Sequence, residues 1–348
     1  MSNRIIPVAS AIMFSAGIAI ADVPKVAVDI APVHSLVSKV MNGVGRPQLI
    51  IPAGASPHEY QLRPSEAKAL QDANLVFWIG EDLSPWLKKG ITTLATDALV
   101  TSLLEVDGIE LLEFREGALF EAHDHDDHDD HDDHDDHDDH DDHDDHDDHD
   151  DHDDHDDHDS HDDHDDHDSH DDHEGHAHGA HDPHAWLSPT ISKVWLNLIA
   201  SKLSEIDPDN AGTYFSNANS ARQDLDSLSK EINEILNPMR EKKYVVFHDA
   251  YQYFEKDFNI SAAGAISLSD ASDPSPARLE EVRNRVVNES IECVLAEPQY
   301  NQGLVTSVID GTDANTAVVD PLGVGLEVGP SLYEKLIRNL ATNLSKCF

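Results

Sequence analysis

The chain has 348 residues, with 23 Lys and Arg against 70 Asp and Glu and a formal net charge of −47. No basic stripe is present to neutralise phosphates, which excludes a nucleic-acid partner and favours cations. Residues 123–182 hold 32 Asp, one Glu and no Lys or Arg, so −33 belongs to that segment and −14 to everything else.

Residues 1–21 read as a secretory signal peptide. Arg4 supplies the positive start, Ile5 to Ile20 is apolar apart from Ser10 and Ser15, and Ala19-Ile20-Ala21 is a small-x-small cleavage site, placing removal near Ala21. A membrane anchor is the other reading, but the apolar run is short against the usual minimum of about 17 residues. An exported, soluble product is therefore expected. Without the signal and the acidic segment, roughly 267 residues remain, large for one core and comfortable for two lobes.

In chain order, Lys25 to Ile30 reads as a strand, and Pro32 opens a helix with Leu36, Val37 and Val40 on one face, ended by Gly43. Pro47 to Ile51 is a second strand, followed by the loop that carries His58. Pro64 to Gln71 reads as a helix with proline in its first turn, Leu75 to Ile79 as a buried strand, and Ser84 to Leu94 as a helix. Strand-like stretches follow at Ala98–Leu104 and Ile109–Phe114. Alternation of this kind predicts parallel α/β packing, with functional positions at the carboxyl ends of strands.

The Asp-Asp-His repeat then interrupts the first lobe. It holds 21 of the 25 histidines and offers nothing apolar to bury. The reading is a disordered His/Asp-rich loop over 121–182, binding several zinc ions weakly through side chains such as His123, His125, His128, His131, His173, His176, His178 and His181. A solvated spacer is the plain alternative.

Ile191 to Leu203 is apolar at helical spacing, and a longer pattern from Asp207-Pro208 to Leu236 predicts a rod of about 40 Å between the lobes. The second lobe repeats the alternation. Its strands are expected at Tyr244–Phe247, Ile260–Ile266, Ile291–Ala296 and Ala317–Val319, with helices between them and a closing helix over Ser331–Leu344. The division is thus 22–205 for the first lobe, 206–237 for the linking helix and 238–348 for the second lobe. Cys293 and Cys347, an even pair in an exported chain, suggest a disulfide closing a loop of about 54 residues; two free buried thiols is the other reading.

Only His34, His58, His184 and His248 lie outside the repeat. His58, His184 and His248 fall at strand ends or helix starts, and Asp320 leaves a strand in the second lobe. A borderline divalent cation takes about four N or O ligands near 2.0–2.2 Å. Spacing alone does not establish such a site. No His-Glu-x-x-His and no general base beside these residues point to a zinc hydrolase, so an enzyme is not expected.

Pro52-x-Gly54-x-Ser56-Pro57-His58-Glu59-Tyr60, Asp182-Pro183-His184-Ala185-Trp186-Leu187 and Phe247-His248-Asp249-Ala250-Tyr251 resemble three metal motifs of the TroA-like metal-binding proteins of ABC importers. Ala296-Glu297-Pro298-Gln299 and Val319-Asp320-Pro321-Leu322-Gly323 match later signatures of the group, and the His/Asp-rich loop resembles its zinc-uptake members. What the resemblance implies is a clamshell of two (β/α) lobes joined by one long rigid helix, working as a monomer in the periplasm. It also implies Zn²⁺ held between the lobes by His58, His184, His248 and either Asp320 or water, and delivery to an ABC permease in the inner membrane. Pro57 occupies the place where some zinc members carry a ligating Glu. His34 matches no family ligand and reads as structural. Three imidazoles favour zinc over manganese, and affinity is expected to fall as pH drops through the histidine range near 6.5. A manganese or iron importer protein and an exported zinc buffer are the alternative readings.

Overall fold

The structure, a computed structural model, describes residues 23–115, 120, 181–267 and 274–348. The expected signal peptide and nearly all of the expected His/Asp-rich loop therefore lie outside the described residues, His181 and Asp182 excepted.

The first lobe runs β1 (Val26–Val28), α1 (Ala31–Val40), β2 (Gln48–Leu49), α2 (Pro64–Gln71), β3 (Leu75–Trp78), α3 (Pro85–Leu94) and β4 (Leu99–Ser102). Its strands form one parallel sheet in the order β2-β1-β3-β4. Proline opens α1, α2 and α3, where a missing N–H costs no hydrogen bond. β1 and β3 are buried at every position, as strands covered on both faces must be. The strand expected over Ile109–Phe114 does not form among these residues. Leu112 donates its N–H to the Tyr253 hydroxyl at 3.0 Å instead of to a ladder, leaving one antiparallel bridge between Glu113 and His181.

After His184 come α4 (Pro189–Ile206), capped by the Ser188 hydroxyl on the Ile191 N–H, and α5 (Ala211–Leu236). The 26 residues of α5 span about 39 Å. Its apolar stripe, from Tyr214 through Leu225 and Ile232 to Leu236, is buried. α5 packs along α4 and touches both α1 of the first lobe and the closing helix of the second.

The second lobe runs β5 (Tyr244–His248), α6 (Gln252–Phe258), β6 (Gly264–Ser267), α7 (Pro276–Asn288), β7 (Cys293–Ala296), α8 (Gln302–Ile309), β8 (Asn315–Val318) and α9 (Leu332–Ser345). The sheet is again parallel, in the order β6-β5-β7-β8. Side chains alternate across it: Tyr244 and Val246 join a core continuous with α5, α9 and the first lobe, while Val245 and Phe247 join a smaller one under α7 and α8. The disulfide Cys293–Cys347, its Cα atoms 5.7 Å apart, ties β7 to the segment after α9.

In both sheets the connections after the two central strands lead to opposite sides, and ligands settle at such switch points outside the carboxyl ends. Asp29, His248 and Glu297 end or directly follow strands, Asp320 lies two residues past β8, and His58 lies in the loop after β2.

Candidate metal centre

His58, His184 and His248 come from three separate stretches and meet. The ring centres of His58 and His184 are 5.7 Å apart, those of His184 and His248 5.3 Å. With zinc about 2.05 Å from each imidazole nitrogen and tetrahedral angles, ring centres would fall about 5.2 Å apart. Among the described residues no three His, Cys, Asp or Glu side chains are drawn in tightly enough to form a finished coordination shell. The two ring separations exceed the tetrahedral spacing by about 0.5 and 0.1 Å. The rings line a single cavity with Trp186, Glu297 and Tyr300, in which the centre of a water-sized sphere has about 10 Å³ to move, room for roughly one water or ion.

Two of the rings are braced from behind by buried carboxylates. Asp182 Oδ1 lies 2.8 Å from His184 Nδ1 and also accepts the His184 N–H at 2.9 Å. Glu297 Oε1 lies 2.7 Å from His248 Nδ1. With the carboxylates accepting, Nδ1 carries the proton and Nε2 is the unprotonated nitrogen on the opposite edge of each ring, the atom that would ligate a metal. Burial pushes Asp182 up to about 7, while the His184 N–H and the charge of Arg115 pull it the other way. A cation in the cavity would strengthen that pull.

His58 is held differently. The Pro57 carbonyl accepts from Ser84 Oγ at 2.9 Å and from Trp86 Nε1 at 2.8 Å, and the His58 N–H donates to Ser56 Oγ at 3.2 Å. The proline that takes the place of a family carboxylate thus serves as the anchor of the loop. Tyr60 continues it, its hydroxyl donating to Glu66 at 2.8 Å, while Glu66 accepts the Arg63 N–H at the start of α2.

Asp320 does not line the cavity, although its neighbours Pro321 and Leu322 do. Its Oδ1 accepts from Gln299 Nε2 and from the N–H groups of Leu322 and Gly323, each at 3.0 Å, which shapes the loop. His34 stands apart, buried in α1, with Nε2 3.1 Å from the Pro47 carbonyl; burial lowers its pKa. His181 pairs through its backbone with Glu113, close to Asp82, whose carboxyl is raised by burial and lowered by His181. His123, His125, His128, His131, His173, His176 and His178 lie outside the described residues.

Reading the sequence missed the bracing acids. Both stand inside motifs; Glu297 follows the apolar run Cys293–Ala296, where a carboxylate requires a buried partner, whereas Asp182 closes the acidic segment and carries no such signal. Arg115 carried no local signal at all.

Two parallel α/β lobes, with a loop, a helix start and a strand end each placing one histidine on a single small cavity, fit a solute-binding class of protein. The chain matches the family described as "Zinc-uptake complex component A periplasmic" over residues 26–347, and it belongs to that family. The high-affinity zinc uptake system protein ZnuA of Brucella abortus (strain 2308) is 46% identical over 322 residues, 92% of this chain and 91% of the relative. The protein of the same name from Paracoccus denitrificans is 43% identical, covering 94% and 92%. Among solved structures, a crystal structure of ZnuA superposes with a TM-score of 0.68 at 20% identity over 94% of this chain and 99% of that one. The binding protein FpvC from Pseudomonas aeruginosa in complex with Mn²⁺ also reaches 0.68, at 17% identity over 93% and 97%, which shows a shared fold.

Proposed function

We propose that this protein captures Zn²⁺ in the periplasm and delivers it to an ABC-type permease of the inner membrane, acting as a monomeric binding protein without catalysis. The ligands are Nε2 of His58, His184 and His248. The fourth position goes to water, because Asp320 Oδ1 is committed to three donors and the side chain does not line the cavity. The observation that carries the reading is the convergence of three imidazoles on a space for one ion, two of them braced by buried carboxylates. The names of the close relatives support it. An all-nitrogen protein set argues against manganese, which prefers oxygen.

The remaining proposals follow from the sequence. Residues 1–21 are removed on export. Residues 22–205, 206–237 and 238–348 act as lobe, linker and lobe, and the Asp-Asp-His repeat collects zinc more weakly than the central site.

Competitive zinc titration of the wild type, His248→Ala and a deletion of residues 123–181 tests the reading. Apparent zinc binding energies of about 10–16 kcal/mol spread over four ligands are about 3 kcal/mol each, so His248→Ala should lose at least about a hundredfold in affinity. The deletion should keep the single tight site. Loss of tight binding on deletion, or displacement of Zn²⁺ by equimolar Mn²⁺, overturns it.

A further inference from the structure

The guanidinium of Arg115 joins the first lobe to the second, beside the site but outside it. Nε lies 3.0 Å from both Oδ1 and Oδ2 of Asp249, Nη2 also pairs with Asp249, and Nη1 donates to Glu255 Oε2 at 2.8 Å. Both acids are almost wholly buried. Asp249 directly follows the ligand candidate His248, and Glu255 lies one turn into α6. On its other side the guanidinium lies 3.6 Å from the centre of the Phe120 ring.

The short segment bearing Arg115 also reaches His184. Leu112 accepts the Asp182 N–H through its carbonyl at 2.8 Å, and Glu113 bridges His181. Tyr253 of α6 donates its hydroxyl to the Asp182 carbonyl at 2.9 Å, and Gln252 donates to the Glu113 carbonyl at 3.0 Å. Asp182 in turn holds the His184 ring. Two short chains of contacts therefore start from residues 112–115: one runs through Asp182 to His184, the other through Asp249 to His248.

A lone arginine near a cation site would repel the cation. Here it faces two carboxylates, and its rigid planar fork suits a simultaneous grip on both in a way a lysine ammonium does not. We propose that Arg115 is a positioning residue for the metal: by clamping Asp249 and Glu255 to the base of the acidic segment, it sets the separation of His184 and His248 before the metal arrives. The clamp rests on the zinc-site reading above, and its loss should act chiefly by speeding metal release from a slackened site.

The test compares wild type, Arg115→Lys and Arg115→Gln by competitive zinc titration, by chelator-trapped zinc release, by the visible absorption of bound Co²⁺ and by thermal unfolding of the metal-free proteins. Arg115→Lys keeps the charge, so both buried acids stay compensated if Arg115→Gln fails to fold. Changes to groups that orient metal ligands cost about 10–100-fold in affinity. Arg115→Lys is expected to lose about tenfold, with faster release and a weakened tetrahedral Co²⁺ band. A lysine variant with a lower unfolding midpoint but wild-type zinc affinity, release rate and Co²⁺ spectrum overturns the proposal and makes Arg115 merely structural. Wild-type protein that fails to bind zinc tightly would instead overturn the underlying site reading.

Discussion

His248 ends a five-residue strand buried at every position, with a buried carboxylate directly behind its ring. His58, by contrast, sits in a partly exposed loop, next to Pro57, whose carbonyl accepts from Ser84 and Trp86. The second lobe thus offers a donor at a strand end, and the first lobe offers one on a loop. The wider of the two measured ring separations involves His58. Closure of the site on a metal is therefore expected to fall on the His58 loop more than on β5.

The contrast can be broken at several points. The largest effect expected is on the stability of the second lobe. Replacing both Cys293 and Cys347 by serine opens a loop of 54 residues, which the chain-entropy account values at about 4 kcal/mol. Denaturant unfolding should show a loss of about 2–5 kcal/mol, with zinc affinity at 25 °C unchanged in the folded fraction.

On the first lobe, Asp29 accepts N–H groups from Ile30 and Ile79 at the end of β1, and burial pushes it up to about 7 from 3.8. Between those values the folded protein holds a proton that the unfolded chain releases. Its stabilising contribution is complete below about pH 4 and is lost as pH rises toward about 7, on the order of 1–3 kcal/mol. The metal-free unfolding midpoint should fall more steeply between pH 5 and 7 in the wild type than in Asp29→Asn. Equal slopes would show that Asp29 stays ionised in the fold.

The remaining two predictions compare the braces directly. Glu297→Gln removes the charge behind His248 while keeping an acceptor, and should lower zinc affinity at least about tenfold. Trp86→Phe removes one of two donors to the Pro57 carbonyl, a loss of about 1 kcal/mol in loop order and therefore only a few-fold in affinity. Competitive titration under one condition ranks them; a larger loss from Trp86→Phe would mean that the His58 arm, rather than the braced strand end, limits binding.

Much of this protein is legible without coordinates because its signals are local. Apolar runs such as Leu75–Trp78 and prolines at helix starts such as Pro64 depend on neighbours in sequence, and their elements appear close to the expected bounds. Periodicity also shows α5, although its first turn, Pro208–Asn210, tightens into a 3-10 helix while Asp207 accepts from Asn210 and Tyr214. The stretch Ile109–Phe114 looked equally strand-like. It fails because its hydrogen-bond partners are side chains and a distant backbone segment, which no local pattern encodes.

For the site the division is similar. The three histidines stand out because so few lie outside the repeat, and their motifs are contiguous. The sequence by itself therefore determined the alternation of strands and helices, the nitrogen-rich chemistry and the separation of the repeat from the central histidines. Only the tertiary structure decided which acids stand behind which rings, that Asp320 is occupied in shaping its loop, and that Arg115 spans the lobes. Asp182 stands two positions from His184, but Glu297 lies 49 from His248, and the partners of Arg115 lie 134 and 140 positions away. The Arg115 contacts depend on the relative placement of two sheets, which is settled by long-range burial rather than by any local preference of the chain.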